Sequence, residues 1–171
     1  FEKVVWHQDV ETFIRCHEEA FESFGGVTGT CLLDNLKSGV LKAHLYEPEL
    51  NPLYEEYSKH AGFIPLPCRV ATPQHKGKVE SNVDYVQDNA LGGKRFESID
   101  EQNTHLRNWN HTWATTRIHG TTKRQVSAMF KEEQPTLQAL PEKSFAYFKV
   151  GTRKVNALDS HIEVGGAFYP I

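Results

Sequence analysis

The chain has 171 residues, of which 39% are hydrophobic and 24% are charged, and its formal net charge is −3. This length allows one domain with a sizeable core, or one domain with a small appendage. No apolar run approaches the ~20 residues of a membrane-spanning helix and no secretory signal opens the chain, so we expect a cytoplasmic protein. The three cysteines are widely separated, so structural zinc and a redox motif are not expected.

Charge is distributed unevenly along the chain. Residues 1–60 contain 5 Lys/Arg and 11 Asp/Glu, residues 61–130 contain 9 and 6, and residues 131–171 contain 5 and 5. Residues 61–130 are therefore the only one of these three segments with a net positive charge. If the protein binds nucleic acid, we expect this middle segment to bind it.

The first predicted helix begins after Asp9, a suitable N-cap, and ends at Gly25-Gly26. Its apolar residues recur at helical spacing, which predicts one buried face. The following stretch, VTGTCLLD, predicts a short buried strand that ends at Asp34, and the turn-like NLKSG comes next.

A second helix is predicted with Asn51 as N-cap, Pro52 in its first position and Gly62 at its end. The apolar stretch FIPLPCRVA contains two prolines, so a strand there should be short or at an edge. A third helix is predicted from about residue 76 towards residue 91, with a buried stripe formed by Val79, Val83, Val86 and Ala90.

The pattern changes after residue 95. SIDE at 98–101 is a capping box that predicts another helix, and the polar loop TTRIHGTTKRQ separates it from a short helix at about 126–132. After Pro141 the sequence predicts three or four short strands with turns at Gly151, Asp159-Ser160 and Gly165-Gly166.

We therefore expect three regions: an α/β part over 1–95, a helical extension over 96–140 and a small β module over 141–171. The chain opens on Phe1 rather than methionine and stops just after the strand-like AFYPI. These ends are what we expect of a piece of a longer protein.

Two acids are candidates for chemistry. In an α/β sheet, ligands bind outside the carboxyl ends of the strands, so the strand-end Asp34 and the helix-borne Glu80 could converge there. Two carboxylates in one place suit Mg²⁺ or Mn²⁺, which also bind phosphate oxygens. The alternative at this point is that Asp34 is a turn residue, because Asp is frequent in turns.

The stretches FESFGGV…LLDNLKSGV, NPLYEEYSKHAGF and ATPQHKGKVESNVDYVQ together resemble the catalytic core of DDE transposases in the retroviral-integrase superfamily. The similarity is closest to the IstA-type transposases of two-gene insertion sequences. RIHGTTKRQVSAMF is similar to that family's segment after the core, and the terminal strands are similar to its small β-barrel.

This resemblance implies a ribonuclease-H-like fold, with Asp34 as the second carboxylate of the catalytic triad and Glu80 as the third. The family's first aspartate lies on the first strand of the sheet, which we expect upstream of Phe1. Asp9 is not a substitute, since it precedes a helix as its N-cap. We therefore expect an N-terminally truncated core that binds metal weakly and does not cut DNA by itself.

For the parent protein the resemblance implies Mg²⁺- or Mn²⁺-dependent cleavage at transposon ends, followed by strand transfer into target DNA. It also implies a bacterial cytoplasmic protein, associated with the nucleoid when bound to DNA. Its implied partners are DNA, further copies of itself and an AAA+ ATPase helper.

Several polar residues are candidates for DNA contact, because basic and amide side chains hold phosphates without reading sequence. Each also has an ordinary structural explanation as part of a turn, a solvated helix start or an exposed loop. The candidates are Asn35, Lys37, His75, Lys76, Lys78, Arg117, His119, Lys123 and Arg124. Trp109 and Trp113, one helical turn apart, are expected to pack against the core rather than to stack on bases.

Two other classes of function stay open. One is a retroelement integrase or a nuclease of the same fold. The other is a non-catalytic DNA-binding or assembly module in which the acids are structural.

Overall fold

The computed structural model describes residues 1–34, 36–42, 49–68, 83–148, 155 and 160–170. The four α-helices with described bounds are α1 Val10–Phe24, α2 Pro52–Ala61, α3 Ile99–Trp109 and α4 Val126–Glu133. The strands are β1 Thr30–Leu33, β2 Val40–Lys42, β3 Glu49–Leu50, β4 Ile64–Pro67, β5 His161–Val164 and β6 Ala167–Pro170. The predicted mixed α/β class is confirmed, and the described residues form no closed barrel.

Helix α1 has the predicted ends. The Asp9 carboxylate accepts a hydrogen bond from the Thr12 backbone N–H at 2.9 Å, which satisfies one of the unpaired donors of the first turn. Gly25 adopts φ 74°, a left-handed conformation that glycine tolerates best, and its N–H donates to the Glu22 carbonyl.

Helix α2 is also bounded as predicted. The Asn51 side chain accepts from the Leu53 N–H at 3.0 Å, and Pro52 occupies the first turn, where its missing N–H costs nothing. At the other end Gly62 has φ 86° and donates its N–H to the Ser58 carbonyl. Local capping signals are therefore enough to place both helices.

Strands β1 and β4 form a parallel pair, with Thr30 opposite Ile64 and Leu33 opposite Pro67. The four-residue β4 is short, as its prolines predict. The expectation that β1 is buried holds for one face only: Leu33 is 3% exposed, whereas Leu32 is 42% exposed. Successive side chains of a strand point to opposite faces, and β4 exposes Ile64 and Leu66 beside Leu32.

One aromatic-rich core lies on the buried face of this pair, between α1 and α2. Phe63 is at its centre, with ring centroids 5.5 Å from Phe21, 6.0 Å from Tyr54 and 5.8 Å from Tyr57. The buried members of this core are Ile14, Phe21, Val27, Leu33, Val40, Tyr54, Tyr57, Ala61 and Phe63.

Residues 134–148 run back across this core. Val27 and Gln138 exchange both backbone hydrogen bonds at 2.9 Å. Gly26 is required beside them, because a Cβ there would lie 2.7 Å from the Leu137 Cβ and 2.8 Å from the Gln138 carbonyl oxygen. Further along, Phe145 packs its ring 5.4 Å from Tyr57. The division into three regions stays a prediction.

Helix α3 begins at the predicted capping box. The Ser98 hydroxyl accepts from the Glu101 N–H at 3.1 Å, and the Glu101 carboxylate accepts from the Glu97 N–H at 2.7 Å. The carboxylate thus bonds one residue before the position that the standard motif uses. Helix α4 matches the predicted short helix within one residue.

Two short π-helical turns extend the helices of this part of the chain. Residues 83–86 are helical and continue into the turn Gln87–Leu91, and α3 continues into the turn Asn110–Ala114. The predicted helix from about residue 76 is confirmed at its described end, but its predicted buried stripe is wrong at Val83, which is 50% exposed, whereas Ala90 is fully buried. The beginning of this helix lies outside the described residues.

The β module is described at its end, where β5 and β6 form an antiparallel hairpin with Val164 opposite Ala167. Gly165 and Gly166 form the last of the predicted turns at φ 61° and 83°, whereas Gly151 and Asp159 of the other two lie outside the described residues. Among the residues that the structure describes, no helix is both long and apolar enough to cross a membrane.

Candidate metal and DNA-binding site

Asp34 directly follows β1 and lies at the carboxyl edge of the parallel β1–β4 pair. Asp34 is exposed. Directly after the neighbouring strand β4, the Cys68 N–H donates to the Leu33 carbonyl at 2.8 Å, so Cys68 lies at the same edge. Burial, and then the charge of Asp34, raise the pKa of the Cys68 thiol. This edge is where the ligands of α/β sheets bind.

The turn after Asp34 is anchored to the start of the chain. The Leu36 N–H donates to the Asp34 carbonyl at 2.7 Å, and the buried Ser38 donates its hydroxyl to the Gln8 carbonyl. Lys37 is exposed on this turn. The strand and the anchored turn therefore fix the backbone that carries Asp34 and Lys37.

The chain leaves β4 at the edge where Asp34 lies. The next residues, 69–82, include four predicted site residues: Glu80, His75, Lys76 and Lys78. These four, together with Asn35, lie outside the described residues, and their roles stay predictions. Within the described ranges no three His, Cys, Asp or Glu side chains group closely enough to hold a metal ion.

The second predicted group of DNA contacts lies on a tight loop between α3 and α4. The loop closes through an isolated bridge between Ile118 and Gln125, and the His119 N–H donates to the Arg124 carbonyl at 2.8 Å. Lys123 turns the chain with φ 56°, and both Lys123 and Arg124 are exposed. Arg124 pairs with Glu132, while the His119 ring accepts from the Thr122 N–H at 3.3 Å.

Arg117 faces inward from the base of this loop. Its guanidinium carbon lies 4.6 Å from the Tyr85 ring centre and 6.0 Å from that of Trp113. Trp109 stacks on Trp113 with centroids 5.4 Å apart. The prediction that both pack against the core is wrong for Trp113, which is 44% exposed. We call these four residues, Tyr85, Trp109, Trp113 and Arg117, the aromatic–arginine cluster. The structure therefore separates Arg117 from the cations on the loop surface.

One polar network was not predicted. His17, half-buried on α1, is enclosed by aromatic rings, including Phe63 stacked at 6.2 Å. Its Nδ1 donates to the Phe13 carbonyl at 2.8 Å, so its Nε2 accepts from the Tyr54 hydroxyl at 3.1 Å. Burial lowers the pKa of His17 and keeps the ring neutral. The sequence signal that could have indicated this network is the position of His17 in the apolar stripe of α1.

The donor chemistry at the strand edge fits a hard divalent cation, since a carboxylate oxygen is the ligand that Mg²⁺ and Mn²⁺ prefer. Asp34 supplies one such group at the carboxyl edge of the parallel strands. The basic loop is separate in sequence and exposes Lys123 and Arg124. Together they provide an acidic position at a strand end and a cationic surface.

Comparison with known proteins shows close relatives of one kind. The chain is 33% identical over 175 residues to a putative transposase of Mycobacterium tuberculosis. This alignment covers 100% of the chain and 42% of that protein. It is 35% identical over 167 residues to the transposase for insertion sequence element IS21 of Pseudomonas aeruginosa, covering 96% of this chain and 42% of the relative.

A third relative, a putative transposase for insertion sequence element IS5376 of Geobacillus stearothermophilus, is 34% identical over 149 residues. This alignment covers 87% of the chain and 37% of the relative. No family model matches the chain.

These relatives are all transposases, and two of the three are named for insertion sequence elements. The chain belongs to the IS21-type, or IstA-type, family of transposases. It spans about two fifths of the length of the curated relatives that it matches, between 37% and 42% in the three cases above.

Proposed function

We propose that the chain forms part of the ribonuclease-H-like catalytic core of a DNA transposase that cleaves transposon ends and transfers the strands into target DNA. The observation that carries this proposal is the position of Asp34 at the carboxyl edge of the parallel β1–β4 pair. The relationship to insertion-sequence transposases supports it.

In this proposal Asp34 and Glu80 are metal ligands, and no side chain acts as the nucleophile. The attacking group is water during cleavage and the resulting 3′-OH during strand transfer. Mg²⁺ or Mn²⁺, when bound, would stabilise the charge that develops on the attacking and leaving oxygens. Asp34 contributes a carboxylate. The backbone of Asp34 is held by β1 and by the anchored turn that follows it.

The DNA backbone would be held by cations near the two acids and on the loop. Lys37 is exposed on the turn that carries Asp34, and Lys123 and Arg124 are exposed on the loop. Such contacts position a duplex but do not read its sequence. The predicted contacts from Asn35, His75, Lys76, Lys78 and His119 complete the proposed surface.

We also propose that the active transposase assembles as a homo-oligomer on transposon ends and works with an AAA+ ATPase helper. The resemblance to IstA-type transposases supports both partners. The proposed location is the bacterial cytoplasm, at the nucleoid.

The test uses Asp34→Asn and Glu80→Gln in a full-length transposase that carries this chain. Both changes keep the side-chain shape but remove the charge, so cleavage and strand transfer should fall by at least ~100-fold while DNA affinity changes little. Asp9→Asn is the matched control, because asparagine also caps helices well. Full cleavage by Asp34→Asn would contradict the metal-binding role.

A further proposal concerns the 171 residues as an isolated polypeptide. Because two-ion chemistry needs a bridging carboxylate in addition to the outer ligands, we propose that this polypeptide binds divalent metal weakly and does not cut DNA. Incubation with Mg²⁺ or Mn²⁺ and a labelled transposon end should leave the DNA intact. Metal-dependent cleavage that disappears in Glu80→Gln would refute this proposal.

A further inference from the structure

One member of the aromatic–arginine cluster is exposed. Trp113 is 44% exposed, whereas Tyr85, Trp109 and Arg117 are half-buried. Single exposed apolar side chains are common on protein surfaces, so exposure alone does not indicate a binding site. Two further observations single out Trp113: its ring is held in place by the cluster, and the chain around it is basic.

The ring of Trp113 is supported by flat neighbours. Its centroid is 5.4 Å from that of Trp109 and 6.2 Å from that of Tyr85, with interplanar angles of 28° and 25°. The guanidinium carbon of Arg117 lies 6.0 Å from the same ring centre. Because these groups already hold the indole in one orientation, little side-chain entropy is left to lose when another flat group stacks on its exposed part.

The chain on both sides of Trp113 carries positive charge. Residues 102–131 contain five Lys/Arg and no Asp/Glu. All of these cations except Arg117 are exposed, and the five are Arg107, Arg117, Lys123, Arg124 and Lys131. Arg124 pairs with Glu132, just beyond this stretch. Such an acid-free stretch attracts the phosphates of a nucleic acid and repels a basic partner.

The basic loop begins directly after Trp113 along the chain. The Arg117 N–H donates to the Trp113 carbonyl at 3.1 Å, and the Val126 N–H donates to the Arg117 carbonyl at 3.1 Å. These two bonds join the turn that carries Trp113 to the base of the loop that carries Lys123. An exposed indole and exposed cations thus belong to one hydrogen-bonded unit.

We propose that Trp113 stacks on an unpaired base of the DNA substrate while cations of the same stretch hold the neighbouring phosphates. Aromatic side chains beside a basic surface bind single strands in this way, because every base presents a flat face. In a duplex those faces are covered by the adjacent bases, so the ligand is a single-stranded segment. The inference rests on the proposed function, which brings DNA strand ends to this protein.

The experiment measures binding by the 171-residue chain in EDTA, so that no metal-dependent cleavage occurs. Three probes are compared: a single-stranded oligothymidylate of about 16 nucleotides, an oligonucleotide of the same length that is abasic throughout, and a duplex of that length. The abasic probe keeps the phosphates but has no base to stack. Its comparison with oligothymidylate therefore separates stacking from charge.

Four variants are tested, and cooperative thermal unfolding confirms that each is folded. Trp113→Ala removes the ring, and Trp113→Phe keeps a smaller one. Trp6→Ala is the matched control, because Trp6 is 78% exposed but lies in residues 1–60, which contain 11 Asp/Glu and 5 Lys/Arg. Lys123→Gln removes one exposed charge from the loop and leaves every ring in place.

We expect Trp113→Ala to weaken oligothymidylate binding by roughly 5- to 100-fold, and Trp113→Phe to weaken it less. Binding of the abasic probe should stay within about twofold in both variants, and Trp6→Ala should bind all probes as the parent does. Lys123→Gln should weaken binding to the abasic probe and to oligothymidylate alike. It should also reduce the salt dependence of single-strand binding by about 0.7 in the logarithmic slope.

Three results would overturn the inference. The first is parent-like oligothymidylate binding by Trp113→Ala, and the second is an equal loss for the abasic probe. The third needs no variant and holds even if Trp113→Ala does not fold: a parent chain that binds the abasic probe as tightly as oligothymidylate stacks no base. Failure of the proposed function is separable, because it would show as full cleavage by Asp34→Asn, whereas binding in EDTA involves no cleavage.

Discussion

The part of the chain that carries Asp34 and the part that follows Glu80 are held together in different ways. Around β1 and β4, nine buried residues, most of them apolar side chains from α1 and α2, form one continuous cluster. Over residues 83–133, the buried residues are Ala90, Asn103 and Leu106, and the remaining packing depends on partly exposed aromatic rings. Buried area thus fixes the backbone at Asp34, and a few contacts between planar side chains fix the segment 83–91.

This difference matters for the proposed metal site, which needs Asp34 and Glu80 at one place. A close-packed core has few alternative arrangements, so the backbone at Asp34 should be rigid. A region with few buried contacts opens locally at lower free energy. We therefore expect substitutions in the first region to act through global stability, and substitutions in the second to act through local opening.

The largest effect is expected from Phe63→Ala, which removes the central ring of the first region. Phe63 is 4% exposed, and phenylalanine-to-alanine changes in cores cost about 3–5 kcal/mol. Urea unfolding followed by far-UV circular dichroism measures this loss. Phe168→Ala is the matched control, because Phe168 is 67% exposed, and it should change stability by less than about 0.5 kcal/mol. Similar losses in both variants would contradict the assignment of the core.

Asn103→Ala tests the second region at its junction with the start of the chain. The Asn103 side chain accepts from the Val4 N–H at 2.8 Å and donates to the Val4 carbonyl at 2.9 Å. Alanine leaves both backbone groups without this partner, at a cost of about 2–3 kcal/mol. Urea unfolding gives the value, with Asn108→Ala, an exposed position on the same helix, as control. Equal effects of the two variants would show that the pairing with Val4 contributes nothing.

A pH dependence should come from His17 in the first region. Burial lowers its pKa in the folded protein, so below its ordinary value of about 6.5 the unfolded chain binds a proton that the folded chain does not. The free energy of unfolding should therefore fall as the pH decreases from about 7 to 5.5, by at most about 1.4 kcal/mol per pH unit from this group. Urea titrations at several pH values measure the slope.

His17→Gln should flatten this slope, whereas His7→Gln, at an exposed position, should leave it unchanged. A slope that His17→Gln does not alter would assign the pH dependence to other histidines.

The smallest effect is expected from a helix cap. Asn51→Ala removes the side chain that accepts from the Leu53 N–H, and losing such a cap costs about 1 kcal/mol. Asn51→Ser keeps an accepting oxygen and should lose only a few tenths of that amount. Thermal unfolding of the two variants compares them, and equal melting temperatures would show that the cap is not needed.

Elements whose signals are local were predictable from the sequence. Both ends of α1 and α2 follow from a capping side chain and a glycine within the same stretch, so no knowledge of the rest of the fold was needed. The strand-end position of Asp34 was predictable for the same reason, since the apolar run of β1 ends there.

Long-range contacts account for what the sequence did not reveal. Arg117 lies in a basic loop, but its guanidinium packs on Tyr85, 32 residues earlier in the chain, and no local pattern indicates this. The exposure of Leu32 is similar, because an apolar side chain in a strand does not tell which face of the sheet is covered. The hydrogen bond at the Nε2 of His17 likewise depends on Tyr54, which belongs to another helix.

The backbone pairing of Val27 with Gln138 bears on where this polypeptide can be cut. Val27 is fully buried, and both its N–H and its carbonyl bond to Gln138. A shortened polypeptide that ends before residue 138 would leave two buried backbone groups without partners. It would also lose the ring that Phe145 places against Tyr57. Expression of the α/β part as a separate unit should therefore keep the chain at least to residue 148.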